Sequence, residues 1–143
     1  MRPSKSEYYL DIASAVSKRS TCIRRHYGAV IVNNDEIVST GYNGSPRGQL
    51  NCCDVGVCMR AEAKRNSGYE QCKSVHAEQN AIISASRQEM LGSIIYLSCQ
   101  YWDGESWIED TSDEVVPCPI CQRMLDNAGI KKIVTRSRNK ASK

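Results

Sequence analysis

Tyr9, Ile12, Ala13 and Val16 recur at helical spacing behind Ser4 and Glu7, which have the S-x-x-E spacing of a capping box, so the pattern predicts a helix reaching to about residue 20. Residues 28–32 (GAVIV) and 36–42 (EIVSTGY) are β-branched runs on either side of the turn formers Asn33, Asn34 and Asp35, and predict a hairpin. From 43 to 74 the period is lost, and glycine, cysteine and charge dominate a long loop with room for one short helix near 59–66. His76 opens the next helical pattern. Its Ala77, Ala81 and Ala85 form a small-residue stripe suited to close approach by the cysteine-bearing helix downstream. Residues 94–99 (IIYLSC) read as a buried strand, 119–128 as a helix stopped by Gly129, and 132–135 as a last short strand; the tail 136–143 reads as frayed. The order α, β, β, α, β, α, β predicts an α/β domain with helices packed on a mixed sheet.

Composition narrows the class. At 143 residues, without internal repeat or linker, the chain suits a single domain spanning 1–143. A formal charge of +3 is too small to announce a nucleic-acid binder. Residues 100–116 hold six acids (Asp103, Glu105, Glu109, Asp110, Asp113, Glu114) and no base, so the remainder carries +9 and would suit a phosphate-bearing ligand. The opening MRPSKSEYYL has no apolar run of signal-peptide type, and no stretch approaches the roughly 18 apolar residues of a membrane span, so a cytoplasmic protein with no membrane partner is expected. Eight cysteines in such a chain point away from disulfides and toward metal ligation, redox chemistry or burial.

Cys118 and Cys121 sit three residues apart at a predicted helix N-terminus, where the dipole and free N–H groups favour thiolates. Alone, the pair fits zinc, a redox dithiol or chance equally well. His76 at the start of another helix adds a third ligand, and three protein ligands leave zinc a fourth position, the mark of a catalytic site. Glu78 lies about 200° around the helix from His76, off the metal but within reach of it, where a carboxylate can move protons. The plainer alternative makes His76 a helix cap and Glu78 a partner of the helix dipole.

H-A-E at 76–78 followed by P-C-x-x-C at 117–121 resembles the signature of the zinc nucleoside and nucleotide deaminases. The stretches SKRSTCIRRHYGAVIV, STGYNGSPRG, NCCD, VHAEQNAI, PCPIC and NAGIKKIV are similar to the deoxycytidylate deaminases in particular. That resemblance implies a three-layer fold, a mixed β-sheet with helices on both faces, and hydrolytic deamination of dCMP to dUMP and ammonia. It implies His76, Cys118 and Cys121 as ligands of a catalytic Zn2+, with Glu78 as the proton shuttle while water attacks carbon 4 of the ring. A structural zinc on Cys22, Cys52, Cys58 and Cys72, with Cys53 as the alternative to Cys52, would also brace the Cys-rich loop 43–74, which has no core of its own. The resemblance places Asn43 near the sugar, and Arg24 is the candidate for the 5′-phosphate; a tight turn at Asn43-Gly44 and a solvated basic cluster at 24–26 are the alternatives. A regulatory dCTP or dTTP, with Mg2+, is expected at Gly44 and Arg47. The partners implied are a small-molecule nucleotide and further copies of the chain in a homo-oligomer such as a hexamer, not nucleic acid. Two readings compete: another deaminase of the superfamily, acting on cytidine, dCTP or tRNA adenosine, and a non-catalytic zinc-stabilised module. One stretch departs from the family pattern, in which the strand runs almost directly into P-C-x-x-C. Here 100–116 intervene and read as an acidic hairpin or flap at the mouth of the site, turned at Asp103-Gly104.

Overall fold

The computed structural model describes residues 1–58 and 72–137, so the short helix expected near 59–66 lies outside the described residues. Helix α1 (Lys5–Ser17) begins as its sequence requires: the Ser4 Oγ accepts from the Glu7 amide at 3.1 Å, and the Glu7 carboxylate accepts from the Ser4 amide at 3.4 Å. It stops three residues short of the expected end. There Lys18, Arg19 and Ser20 donate to the carbonyls of Ala15, Val16 and Ser17, and these three-residue bonds tighten the chain out of the α-helix.

Strands β1 (Arg25–Asn33) and β2 (Glu36–Tyr42) form the expected hairpin, closed at Asn34 and Asp35 with φ of 51° and 62°. Two left-handed residues are what a tight hairpin turn needs, and Asn and Asp tolerate that region. Strand β1 starts earlier than its apolar run because its other edge pairs antiparallel with β3 (Ile94–Trp102), matching Arg25 to Tyr101 and His26 to Gln100. The far edge of β3 is shared. Strand β5 (Lys132–Val134) runs parallel along its first residues, and β4 (Trp107–Glu109) runs antiparallel along its last.

Strand alternation separates two cores. Val30, Val32 and Tyr96 face α1, packing with Tyr9, Leu10 and Ala13. Ala29, Ile31, Ile95, Leu97 and Cys99 face the opposite layer, packing with Ala77 and Ala81 of α3 (Ala77–Ile83) and Leu125 and Ala128 of α5 (Pro119–Ala128). The result is the expected mixed sheet with helices on both faces. Each face holds its helix at a glycine. A Cβ at Gly28 would lie 2.0 Å from the Ala13 carbonyl oxygen, and one at Gly41 would lie 2.4 Å from both the Ala77 carbonyl oxygen and the Ala81 nitrogen. The backbone at Ala77 and Ala81 thus lies close against Gly41 of β2, while the same alanines pack in one cluster with Leu125 and Ala128 of the cysteine-bearing helix, as expected. Ala85 falls outside α3, because Ser86 and Glu89 form a second capping box and start the short α4 (Arg87–Met90).

Among the described residues no helix is long and apolar enough to cross a membrane. One turn, α2 (Cys52–Val55), lies in the Cys-rich loop. The acidic segment is a hairpin, its turn held by Asp103 Oδ1 accepting from the amides of Glu105 at 2.7 Å and Ser106 at 2.8 Å. Two of its acids pair with the chain's own bases: Glu109 bonds Arg136 at 2.6 Å and Asp110 bonds Arg25 at 3.2 Å. Arg136 also pairs with Asp11, so the start of the tail is anchored where fraying was expected.

Candidate metal centre

Two helix starts deliver the ligands. His76 is the N-cap of α3, and its amide donates to Gln79 Oε1 at 2.9 Å, which satisfies the helix end and leaves the ring free. Cys118 is the N-cap of α5, with Pro119 in the first turn, and its Sγ accepts from the Cys121 amide at 3.4 Å. His76 Nδ1 lies 3.6 Å from Cys118 Sγ and 3.2 Å from Cys121 Sγ, with all three ligand atoms within 4.8 Å of one another. Tetrahedral zinc, with bonds of about 2.3 Å to sulfur and 2.0 Å to nitrogen, would set such atoms about 3.5 Å apart. The donor set fits zinc.

Glu78 is buried at 5% exposure, close enough to Cys121 that each side chain shifts the other's titration. Burial pushes its carboxyl up from the ordinary range, against the pull of backbone, His76 and Cys121. Burial, then the Glu78 carboxyl, pushes the Cys121 thiol up as well. Groups that resist ionising side by side are relieved by a cation, which is a second sign that this donor set suits a metal.

The seat of α3 fixes the centre. Besides the contact at Gly41, Ser39 Oγ donates to the Ala81 carbonyl at 2.7 Å and Asn80 Nδ2 donates to the Tyr42 carbonyl at 2.8 Å. Just before His76, Val75 and Gly44 exchange backbone bonds of 2.7 and 3.1 Å, which brings the GYNG stretch alongside. The alternative of a tight turn at Asn43-Gly44 does not form. Asn43 is buried, its Oδ1 accepting from the Tyr27 amide at 2.8 Å and its Nδ2 donating to the Arg25 carbonyl at 3.0 Å. Arg24 and Arg47 are exposed.

Among the described residues, Cys22, Cys52, Cys58 and Cys72 do not join any group whose ligand atoms all lie within 4.8 Å of one another. Cys52 is half-buried, and its thiol is pushed up by burial and then by Cys22, Cys72, Cys58 and Cys53. Cys53 is exposed. Sequence reasoning missed the surroundings of the buried Cys99: its Sγ accepts from Arg25 at 3.5 Å, Tyr27 lies directly across the ladder from it, and Asp110 bonds Arg25 at 3.2 Å. Period two along β1 carries the signal, since it puts Arg25 and Tyr27 on the face of Ala29 and Ile31.

Residues 3–137 match the family model for the cytidine and deoxycytidylate deaminase zinc-binding region. A deoxycytidylate deaminase of Schizosaccharomyces pombe is 36% identical over 93% of this chain, which spans only 37% of that longer relative. One from Mycobacterium phage D29 is 31% identical, covering 93% of this chain and 94% of its own. The crystal structure of the dCMP deaminase of cyanophage S-TIM5 in apo form is similar at a TM-score of 0.64 and 30% identity, over 94% of this chain and 84% of that one. The same phage enzyme in complex with dCMP and dUMP gives 0.62 and 29%, over 94% and 82%.

Proposed function

The chain belongs to the cytidine and deoxycytidylate deaminase zinc-binding family, and on that premise we propose that it hydrolyses dCMP to dUMP and ammonia. One observation carries the reading: two thiols and an imidazole nitrogen converge beside a buried carboxyl that is not among them. Support for the substrate comes from the phage relative crystallised with dCMP and dUMP.

Zinc held by His76, Cys118 and Cys121 supplies Lewis acidity to the reaction. Glu78 takes a proton from the water attacking carbon 4 and passes it to the ring nitrogen. It then takes the second water proton from the hydroxyl now on carbon 4 and delivers it to the departing amine as the carbon–nitrogen bond breaks and the carbonyl forms, so one carboxyl is base and acid in turn. Burial excludes bulk water from that exchange. Asn43, with one Nδ2 hydrogen committed to β1, offers the other to a sugar hydroxyl, and the exposed Arg24 takes the 5′-phosphate.

We propose a second zinc on Cys22, Cys52, Cys58 and Cys72, with half-buried Cys52 favoured over exposed Cys53. A regulatory nucleotide with Mg2+ at Gly44 and Arg47, a homo-oligomer and a cytoplasmic location complete the reading. The test is ammonia release from dCMP, cytidine, dCTP and tRNA adenosine, with zinc counted on the same sample. We expect dCMP to be preferred and two zinc per chain. A zinc-loaded protein that leaves dCMP untouched sinks the activity, and one zinc per chain sinks the second site.

A further inference from the structure

The acidic segment carries two tryptophans that the metal centre does not use. Trp102 and Trp107 face each other across the β3–β4 ladder, with ring centroids 5.8 Å apart and 58° between their planes. Trp107 also lies flat on His26, the centroids 3.5 Å apart at 16°. Strand alternation fixes the side of the sheet. His26 pairs with Gln100, whose Nε2 donates to Ser14 Oγ of α1 at 2.9 Å, so positions 100 and 102 of β3 and 107 of β4 stand on the α1 face, away from α3 and α5. Both indoles, His26, Ile23 and Cys53 line a cleft of about 450 Å³ that opens to solvent. Trp102 is 49% exposed there, and Val55, on the same short helix as Cys53, is as exposed.

Charge of both signs flanks the cleft. One wall comes from the loop after α1, where Lys18 and Arg19 are exposed beside Ser20; the other comes from the hairpin, where Asp103 and Glu105 are exposed between the two indoles. Among the described residues none of these four forms an ion pair, whereas Glu109 and Asp110 of the same hairpin do. A large exposed indole at an apolar cleft, with charges at its edge, is the anatomy of an interface with an aromatic centre and a polar rim. The partner must offer acids to the loop and bases to the hairpin. A simple anion or cation meets one need only, whereas a second copy meets both, because a two-fold axis sets each hairpin tip against the other copy's loop. We propose that two copies of the chain associate through this cleft, each seating its Trp102 in the cleft of the other, with Glu105 of one copy opposite Arg19 of the second. The inference deepens the homo-oligomer reading by naming its surface, and it does not depend on the substrate.

The experiment is sedimentation velocity on the full chain over a concentration series, with circular dichroism to confirm that every variant is folded. Trp102→Ala should weaken self-association by about thirtyfold, the loss expected of a central aromatic anchor. Glu105→Lys and Arg19→Glu should each weaken it by about tenfold, since every change acts twice across the axis, and the variant carrying both should return to within about threefold of wild type. The chain's two tryptophans both lie in this hairpin, so indole emission should move to shorter wavelength as concentration drives assembly. Assembly of wild-type strength in Trp102→Ala, or a double reversal that recovers nothing, overturns this surface and leaves the homo-oligomer reading standing. A wild type that sediments as a monomer overturns both. Quenching of the indoles by single-stranded oligothymidylate in the assembled wild type would show the cleft still open to a base, and would overturn the seat of Trp102.

Discussion

Replacing Gly41 with alanine tests whether the seat of α3 sets the metal centre. The new Cβ would stand 2.4 Å from the Ala77 carbonyl oxygen and the Ala81 nitrogen, where ordinary contact begins at 3.4 Å, so the helix must retreat by about 1 Å. Backbone cannot turn aside as a side chain can. Overpacking of this kind costs about 1–3 kcal/mol of stability. The sharper effect falls on His76, which caps the displaced helix, because zinc tolerates only about 0.2 Å of error in ligand distance. We expect zinc affinity, measured by chelator competition, to fall by at least tenfold and kcat by about a hundredfold. Gly28→Ala is the control. Its clash with Ala13 is closer, at 2.0 Å, but lies on the opposite face against α1, so it should cost as much stability and leave the zinc affinity of the folded protein intact. If both variants lose zinc alike, or Gly41→Ala binds it normally, the close seat does not govern the centre.

Glu78→Gln should keep its zinc and lose about 10²–10⁴ in kcat, the range for a general acid–base group; turnover near the wild-type level would assign the proton work elsewhere. Tyr9 gives a pH prediction. Its hydroxyl bonds Asp35 Oδ1 at 2.5 Å, and this bond, then burial, pushes its pKa from 10.0 up to about 12. A group raised on folding stabilises fully below the unfolded value and loses its contribution as pH climbs from about 10 through 12. The melting temperature should therefore drop faster over that window in the wild type than in Tyr9→Phe, and parallel curves would disprove the link.

Local chemistry explains what was legible in the sequence. The capping box at Ser4, the Asn34-Asp35 turn and Gly129, left-handed at φ 84°, each act within a few residues, so their elements end where short-range rules place them. The metal triad was legible because helix starts are local as well, and His76, Cys118 and Cys121 each sit at or next to one. Long-range pairing was not legible. Strand β1 gains Arg25 and His26 only because β3 lies alongside, and the contact of Arg25 with Cys99 needs the same two strands in register. The anchoring of Arg136 depended on Asp11 and Glu109 from distant parts of the chain. Ala85 packs against the same core as Ala77 and Ala81 but lies past the end of α3, with the second capping box at Ser86 directly after it.

The left-handed pair at Asn34 and Asp35 has a consequence for the order of assembly. A turn of two residues closes the β1–β2 hairpin almost without loop entropy, on a timescale of microseconds. The other edge of β1 waits for residues 94–101, and α5 follows later still in the chain. His76 can reach its seat on β2 early, whereas Cys118 and Cys121 arrive only after the long-range ladder has closed. A cation caught by all three would come after the folding barrier. It should slow unfolding and leave the refolding rate as it is; faster refolding with zinc would show that the metal guides the chain instead.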